Sequence, residues 1–179
     1  MLLKTRQKRK QAKETLTIQA GSEEIKASKT EKLLGIEIED NLGFEKHINS
    51  LVEKLEVGLK AIRAITGIAN FKTRKSILNG LITSRLTYMI PLWIGAPKHK
   101  LDKLQKLQTK AMRTITKKKW EIEGEKLVST SRLLTETGQL SIRQMGAYHT
   151  LLQMKKNTDN RRTRILIQQT NREKQRTQI

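Results

Sequence analysis

The fold is decided at residues 32–48, which read KLLGIEIEDNLGFEKHI. Leu34, Ile36 and Ile38 alternate with Gly35 and Glu37, and this period of two predicts a strand over residues 33–38. The Asp, Asn and Gly that follow predict a turn, because Asn and Asp side chains bond nearby backbone and glycine tolerates positive φ. A helical period then begins at Phe44 and ends at Gly67, with apolar residues at Ile48, Leu51, Val52, Leu55, Leu59, Ile62 and Ile65.

Further elements are predicted on both sides of this unit. Upstream, alternation within residues 15–20 and Ile25 predict two short strands that complete a small antiparallel sheet. Downstream, four more helices are predicted. The second is capped by Asn70 and ends before Pro91, and the third begins at Pro97. The fourth is closed by Gly138. The fifth is capped by Ser141, with Ile142, Met145, His149 and Leu152 facing inward.

The predicted architecture is therefore mainly α, with a small N-terminal antiparallel β-sheet and about five amphipathic helices in a bundle. Residues 1–14 form a basic disordered arm, 15–40 the small sheet, 41–156 the helical domain and 157–179 a basic disordered tail.

The composition points to a polyanionic partner. The 179 residues carry a formal net charge of +20 and a sequence pI near 10.4, which indicates nucleic acid first and an acidic membrane surface second. The chain has no cysteine, and its most apolar window, 77–96, contains an arginine and a proline. We expect an intracellular protein without a membrane span, with nucleus and cytoplasm left open.

The third helix carries the most informative pattern. Between Lys72 and Lys119 the chain has 13 Lys or Arg and a single acid, Asp102. An apolar face holds Leu101, Leu104, Gln108, Ala111, Met112 and Ile115. The opposite face carries a row that we call the basic ridge: Lys103, Lys106, Lys110, Arg113 and Lys117. Such uncompensated repulsion favours contact with phosphates, with a solvated face as the alternative reading.

Several motifs together resemble the segment after the catalytic palm of reverse transcriptases from non-LTR (LINE-type) retrotransposons. In that family a strand of lysine or tyrosine, leucine, glycine and valine or isoleucine forms the primer-grip hairpin. It leads through leucine, an aromatic residue, histidine and isoleucine into the first thumb helix. The matching stretches here are residues 32–36, 40–44, 47–48, 84–88, 92–93, 104–115, 137–145 and 147–149. The resemblance covers roughly residues 28–155.

The resemblance implies a primer-grip hairpin and helical thumb, separated from fingers and palm, that holds a template-primer duplex by its phosphates. In this role the basic ridge contacts the duplex and the hairpin around Gly35 approaches the primer strand. Arg74, Lys75 and Arg85 are secondary candidates, and the missing palm and fingers are a further partner.

The chain itself is not expected to polymerise. The family's paired catalytic aspartates have no counterpart, since Asp40, Asp102 and Asp159 are widely separated, whereas two-metal phosphoryl transfer needs converging carboxylates. We expect no cofactor, no metal and no small-molecule substrate. Glu121, Glu123 and Glu125 are read as a solvated turn.

The aromatic and histidine side chains are expected to serve the fold. His47 is read as structural, although it could stack at the hairpin–helix junction. Trp93 and Tyr88 are read as core residues, with base stacking as the alternative.

Three other functions stay open at this point. The chain could be an inert translated relic of a retroelement, with an exposed hairpin face and poor solubility. It could be a free-standing RNA- or DNA-binding module that folds alone. It could also be a helical interaction protein, whose binding would survive high salt.

Overall fold

A computed structural model describes residues 17–21, 23–26, 28–118 and 128–176; the predicted basic arm, 1–14, lies outside them. The strands are β1 (Thr17–Ala20), β2 (Glu23–Lys26), β3 (Thr30–Leu33) and β4 (Ile36–Glu39). The helices are α1 (Glu45–Ile65), α2 (Phe71–Leu78, a π-helical turn Asn79–Thr83, and Ser84–Thr87), α3 (Ile90–Trp93), α4 (Lys98–Thr116), α5 (Thr130–Thr137) and α6 (Ile142–Arg176). The prediction of a mainly helical chain with antiparallel β-structure near its N-terminus is confirmed.

The β-structure forms two separate hairpins, not one three-stranded sheet. β1 pairs with β2 and β3 pairs with β4, both antiparallel. The predicted single strand over 33–38 is wrong, because Leu34 and Gly35 form a two-residue turn with φ of 49° and 79°. Positive φ at both positions is the type I′ geometry that matches the twist of a hairpin. An exposed leucine there costs about 1 kcal/mol, because its Cβ crowds the backbone in the left-handed region.

α1 is the central helix, and the core forms along one of its faces. Its buried residues are Ile48, Leu51, Leu55, Gly58, Leu59 and Ile62, as the helical period predicted. The β3–β4 hairpin packs on the first half of this helix, where Ile36 is fully buried. α4 packs extensively against α1, so these two helices form the framework that the others complete.

α2 runs antiparallel to α1 and changes its pitch midway. The cap by Asn70 is confirmed, since its side chain accepts a hydrogen bond from the Thr73 N–H at 2.9 Å. At the π-helical turn, the Gln139 side chain bonds both Asn79 and Thr83 at 2.8 Å, which ties the turn to the start of α6. α2 ends at Thr87, before Pro91, as predicted.

The aromatic residues after α2 divide between core and surface. Trp93 is fully buried, and its Nε1–H donates to the Tyr88 carbonyl at 3.0 Å. The Tyr88 side chain is 52% exposed, so the core interpretation is confirmed for Trp93 and wrong for Tyr88. A hydroxyl that needs a polar partner keeps the Tyr88 ring at the surface, where it donates to the Leu34 carbonyl at 2.8 Å.

α5 and α6 close the bundle with the predicted end signals. Gly138 follows α5 with φ 63°, and Ser141 forms a reciprocal pair of hydrogen bonds with Gln144 at the start of α6. Ile142 and Met145 are buried, whereas Leu152 is 38% exposed and does not face inward as predicted.

α6 continues as helix to Arg176, through part of the stretch from Asn157 that was predicted to be a disordered tail. The stretch after Gly146 holds no glycine or proline, so it contains neither of the residues that oppose the propagation of a helix most strongly.

Candidate nucleic-acid interface

A basic groove lies between the end of α1, the outer face of α4 and the beginning of α5. Its volume is about 880 Å³. We call it the basic groove and define it by its lining residues: Arg63, Thr66, Gln105, Lys106, Thr109, Lys110, Arg113, Thr114, Lys117, Lys118 and Thr130. Six of these side chains are cationic and none is acidic or aromatic.

Four of the five ridge residues line this groove. Lys106, Lys110 and Lys117 are exposed and Arg113 is partly buried, whereas Lys103 is exposed one turn before the groove. From Lys103 to Lys117 the α-helical rise gives a row about 21 Å long. The structure therefore places the predicted row of cations along one wall of a concave surface.

The packing of α4 fixes the direction of this row. The opposite face of the helix is buried, and there the Gln108 side chain donates to the Leu140 carbonyl at 2.9 Å. Gln105 accepts from the Ile142 N–H at 3.0 Å, which holds α4 against the start of α6. These two contacts oppose rotation of α4 about its axis, so its lysines stay directed at the groove.

The two remaining groove cations lie before and after α4 in the sequence. Arg63 lies in the last turn of α1, and Lys118 follows the left-handed residue that ends α4. Lys118 forms an ion pair with Glu136 of α5, and Arg113 Nη2 donates to the Val128 carbonyl at 3.4 Å. These contacts link α4 to α5 and shape the far end of the groove.

Seven lining residues were not singled out from the sequence: Gln105, Thr109 and Thr114 on α4, and Arg63, Thr66, Lys118 and Thr130 outside it. The last four do not belong to α4 and share no period with the basic ridge. A partial signal existed in the short run of lysines after Ile115, but which face of α1 meets α4 is decided by tertiary packing.

Two of the secondary candidates, Arg74 and Arg85, make hydrogen bonds within the fold. Arg74 is 8% exposed, its Nε–H donates to the Asn70 carbonyl at 3.4 Å, and its buried Nη1 has no hydrogen-bond partner. Arg85 donates from Nη1 to the backbone carbonyl of Lys54. The Arg74 guanidinium is therefore buried, whereas Arg85 is partly exposed and is bonded to α1 through one nitrogen.

Lys75 has a structural contact as well. Its Nζ lies 3.1 Å from the position that a Cβ on Gly138 would occupy, so the ammonium sits at the C-terminal end of α5. A cation is favourable there because the helix dipole and the unpaired carbonyls carry negative charge.

Gly35 is not among the residues that line the basic groove. The β3–β4 hairpin bonds the first turn of α1, where Glu39 accepts from the Lys46 N–H at 3.0 Å, whereas Arg63 is at the other end of that helix. Seventeen residues separate Lys46 from Arg63, about 25 Å along the axis. The structure thus does not bring the hairpin and the basic ridge into one site.

His47 lies at the junction between hairpin and bundle, where it was predicted to be structural. Its ring is 6.3 Å from the Trp93 ring, at an interplanar angle of 52°. Burial lowers the pKa of His47 from its ordinary value of 6.5, with the Lys54 charge adding to this and Glu37 opposing it. The neutral imidazole is the form that fits this junction.

The carboxylates are dispersed. Asp40 lies in the turn before α1, Asp102 in α4 and Asp159 in α6. Among the described residues, no group of three or more His, Cys, Asp or Glu side chains is placed to hold a metal ion. The glutamates of 121–125 lie outside the described residues. Within the described part of the chain, no helix is long and apolar enough to cross a membrane.

Comparison with known proteins gives no relative: no protein-family model, curated protein or solved structure matches this chain. Any functional conclusion therefore rests on the groove and on the sequence motifs.

Proposed function

We propose that this chain is a nucleic-acid-binding module that holds the phosphate backbone of a duplex in its basic groove, without catalysis of its own. The observation that carries the proposal is a concave surface lined by six cations and by no acidic side chain. Phosphates supply the negative charge that such a surface lacks, and the counterions that they release drive association.

The lining chemistry favours backbone contact over base readout. Proteins that bind single strands stack bases on aromatic side chains, and no aromatic residue lines the groove. Lysine is a flexible point charge suited to phosphates, whereas base edges are read by planar pairs of donors and acceptors. The hydroxyls of Thr66, Thr109 and Thr114 donate to backbone carbonyls one turn earlier, so the cations are the groups that face a phosphate.

The resemblance to the primer-grip hairpin and thumb of non-LTR reverse transcriptases indicates the kind of parent protein in which such a module would act. Two features of the chain support it: a tight hairpin at Leu34 and Gly35, and a long helix that follows directly after Phe44. In such a parent the duplex would be held behind a palm that this chain does not contain. We therefore expect an RNA–DNA hybrid as a suitable probe.

The experiment is a fluorescence anisotropy titration of a labelled RNA–DNA hybrid duplex with the full chain over a salt series. With four to six groove cations engaged, log affinity should fall against log salt with a slope of about −4 to −5. The variant Lys103→Glu, Lys106→Glu and Lys110→Glu should flatten that slope by about 2–3 and weaken binding, because it removes phosphate contacts.

A matched control variant distinguishes the effect of the groove lysines on affinity from the effect of net charge. Lys26, Lys29 and Lys54 are exposed and lie outside the groove, so changing all three to Glu alters the formal charge equally. This control should retain most of the affinity. Equal losses in both variants would mean that only overall charge matters, and the assignment of the groove would be wrong.

One observation favours a second candidate, a helical protein-interaction module. The apolar side chains Tyr148, Leu151, Leu152 and Met154 are exposed on α6. Binding through such a face is driven by apolar burial and persists at high salt, so the same salt series discriminates between the two functions.

A further inference from the structure

The later part of α6 is a helix that does not pack on the bundle. Ile142 and Met145 in its first turns are buried, whereas every residue from Leu151 to Arg161 is exposed. Those exposed residues make about three full turns, so no side of the helix is covered there. Helical backbone continues to Arg176, which gives the part from Leu151 onward a length of about 39 Å. We call residues 151–176 the projecting helix.

One face of the projecting helix carries side chains with planar hydrogen-bonding groups. Gln153, Asn157, Asn160 and Arg161 lie within an arc of about 100° around the helix axis. All four are exposed, and within the described part of the chain none of them has a hydrogen-bond partner. We call this row the planar face. The same spacing continues along the sequence at Arg164, Gln168, Asn171 and Gln175.

The charge of the projecting helix favours a polyanion. Residues 151–176 contain eight Lys or Arg and two acids. Asp159 lies about 200° from Asn157 around the helix, on the side away from the planar face. The exposed apolar residues Leu151 and Leu152 are also turned away from that face. The planar face therefore presents amides and a guanidinium, with neither an acid nor an apolar residue among its described members.

These are the side chains that recognise base edges. Asn or Gln pairs with N6 and N7 of adenine, Arg pairs with O6 and N7 of guanine, and all of these atoms lie in the major groove. The major groove of B-form DNA, about 12 Å wide, admits an α-helix, whereas that of an A-form duplex is deep and narrow. The chemistry of the planar face thus differs from that of the basic groove, whose lysines are point charges suited to phosphates.

We propose that the projecting helix enters the major groove of B-form DNA and recognises base edges with Gln153, Asn157, Asn160 and Arg161. From Gln153 to Arg161 the helix rises about 12 Å, which corresponds to about three to four base pairs. This contact goes beyond the proposed function, because phosphate binding in the basic groove is indifferent to sequence and the planar face adds a sequence preference. None of the four residues lines the basic groove, so the two surfaces are separate.

The test is selection by the full chain from a pool of duplex DNA with randomised sequence, followed by sequencing of the bound fraction. We expect enrichment of a motif of about three to four base pairs that contains guanine. The variant Asn160→Ala, Arg161→Ala should lose this enrichment and bind the selected duplex roughly tenfold more weakly or worse. Lys155→Ala is the matched control, since it removes the same charge from the opposite side of the helix and should keep the motif. Circular dichroism checks that both variants keep their helix content.

Replacing guanine by 7-deazaguanine in the selected motif identifies the contact of Arg161. This base lacks the N7 acceptor, so wild-type affinity should fall roughly tenfold, whereas the affinity of Arg161→Ala should not change. An equal loss in both chains would overturn the proposal. So would a wild-type chain that enriches no motif, or a motif that persists in the Asn160→Ala, Arg161→Ala chain.

Failure of this proposal is distinguishable from failure of the proposed function. The Asn160→Ala, Arg161→Ala chain should bind the RNA–DNA hybrid with undiminished affinity, because a helix does not enter a narrow A-form major groove. The Lys103→Glu, Lys106→Glu, Lys110→Glu chain should bind every duplex more weakly, yet still prefer the selected DNA to a scrambled duplex of the same length.

Discussion

Gly146 is the residue whose substitution tests the docking of α6 most sharply. A Cβ added at this position would lie 2.3 Å from Ile94 Cγ1, 2.7 Å from Cδ1 and 3.1 Å from Cβ. The nearest atom, Cγ1, is bonded directly to the Ile94 Cβ, so rotation of the terminal Cδ1 methyl group about the Cβ–Cγ1 bond does not relieve the overlap. Gly146→Ala therefore forces the backbone of α6 away from the segment that follows α3.

The expected magnitude follows from two opposing effects. Overpacking a filled contact costs about 1–3 kcal/mol, and a contact of 2.3 Å belongs in the upper part of that range, about 2–3 kcal/mol. Alanine in place of glycine within a helix returns about 1 kcal/mol, because it loses less backbone entropy on folding. The net destabilisation should be about 1–2 kcal/mol, and for a chain of this size that lowers Tm by about 2–8 °C.

The assay is thermal unfolding followed by circular dichroism, with Gly80→Ala as the matched control. Gly80 is also helical, and a Cβ there meets nothing within 4 Å, so this variant should be as stable as the parent or more so. Ile94→Ala should rescue part of the loss when it is combined with Gly146→Ala, because it removes the two closest atoms. A Gly146→Ala chain with an unchanged or raised Tm would refute the close packing of α6.

Three further outcomes follow from single side chains. Burial lowers the pKa of His47 below 6.5, so protonation of this side chain opposes folding. Stability should be full above pH 6.5 and fall as pH drops toward the lowered pKa, and His47→Phe should flatten this part of a urea-denaturation pH profile. Arg74→Met removes a buried charge whose Nη1 is unpaired, so unfolding should show equal or up to about 1–2 kcal/mol greater stability, and affinity for the duplex should not change. Arg85→Met loses the bond to the Lys54 carbonyl, and chemical denaturation should show a loss of about 1–2 kcal/mol; no loss would mean that this contact adds nothing to the packing of α1 on α2.

The helices could be predicted because their signals are local. The apolar period of α1 and α4 identifies the buried faces within a few residues, and Asn70, Gly138 and Ser141 mark ends by hydrogen bonds to their own neighbours. Each of these signals acts within one or two turns. Sequence alone is sufficient where the physical cause lies inside that distance.

The hairpin at residues 33–38 was misread for a related reason. Ile36 and Ile38 are two residues apart, so they share a face in a single strand and equally in the second strand of a hairpin. In the hairpin, Leu33 lies opposite Ile36 across the two-residue turn. Alternation therefore does not separate the two structures. Leucine before glycine is also a poor turn signal, because Asn or Asp normally occupies that left-handed position.

The groove shows where sequence reasoning about a site reaches its limit. The basic ridge was predictable, because five cations at three- and four-residue steps on one helix must share a face. A ridge alone is convex, and a convex row of lysines is also what an ordinary solvated helix presents. Arg63 and Thr66 from α1, with Thr130 from α5, make the surface concave, and they do so only through the packing of α1 and α5 on α4. The cations of a concave surface act on the same volume of solvent, so their potentials add where a strand of phosphates would lie. The packing of three helices thus gives the row of cations a concave setting that its sequence pattern does not contain.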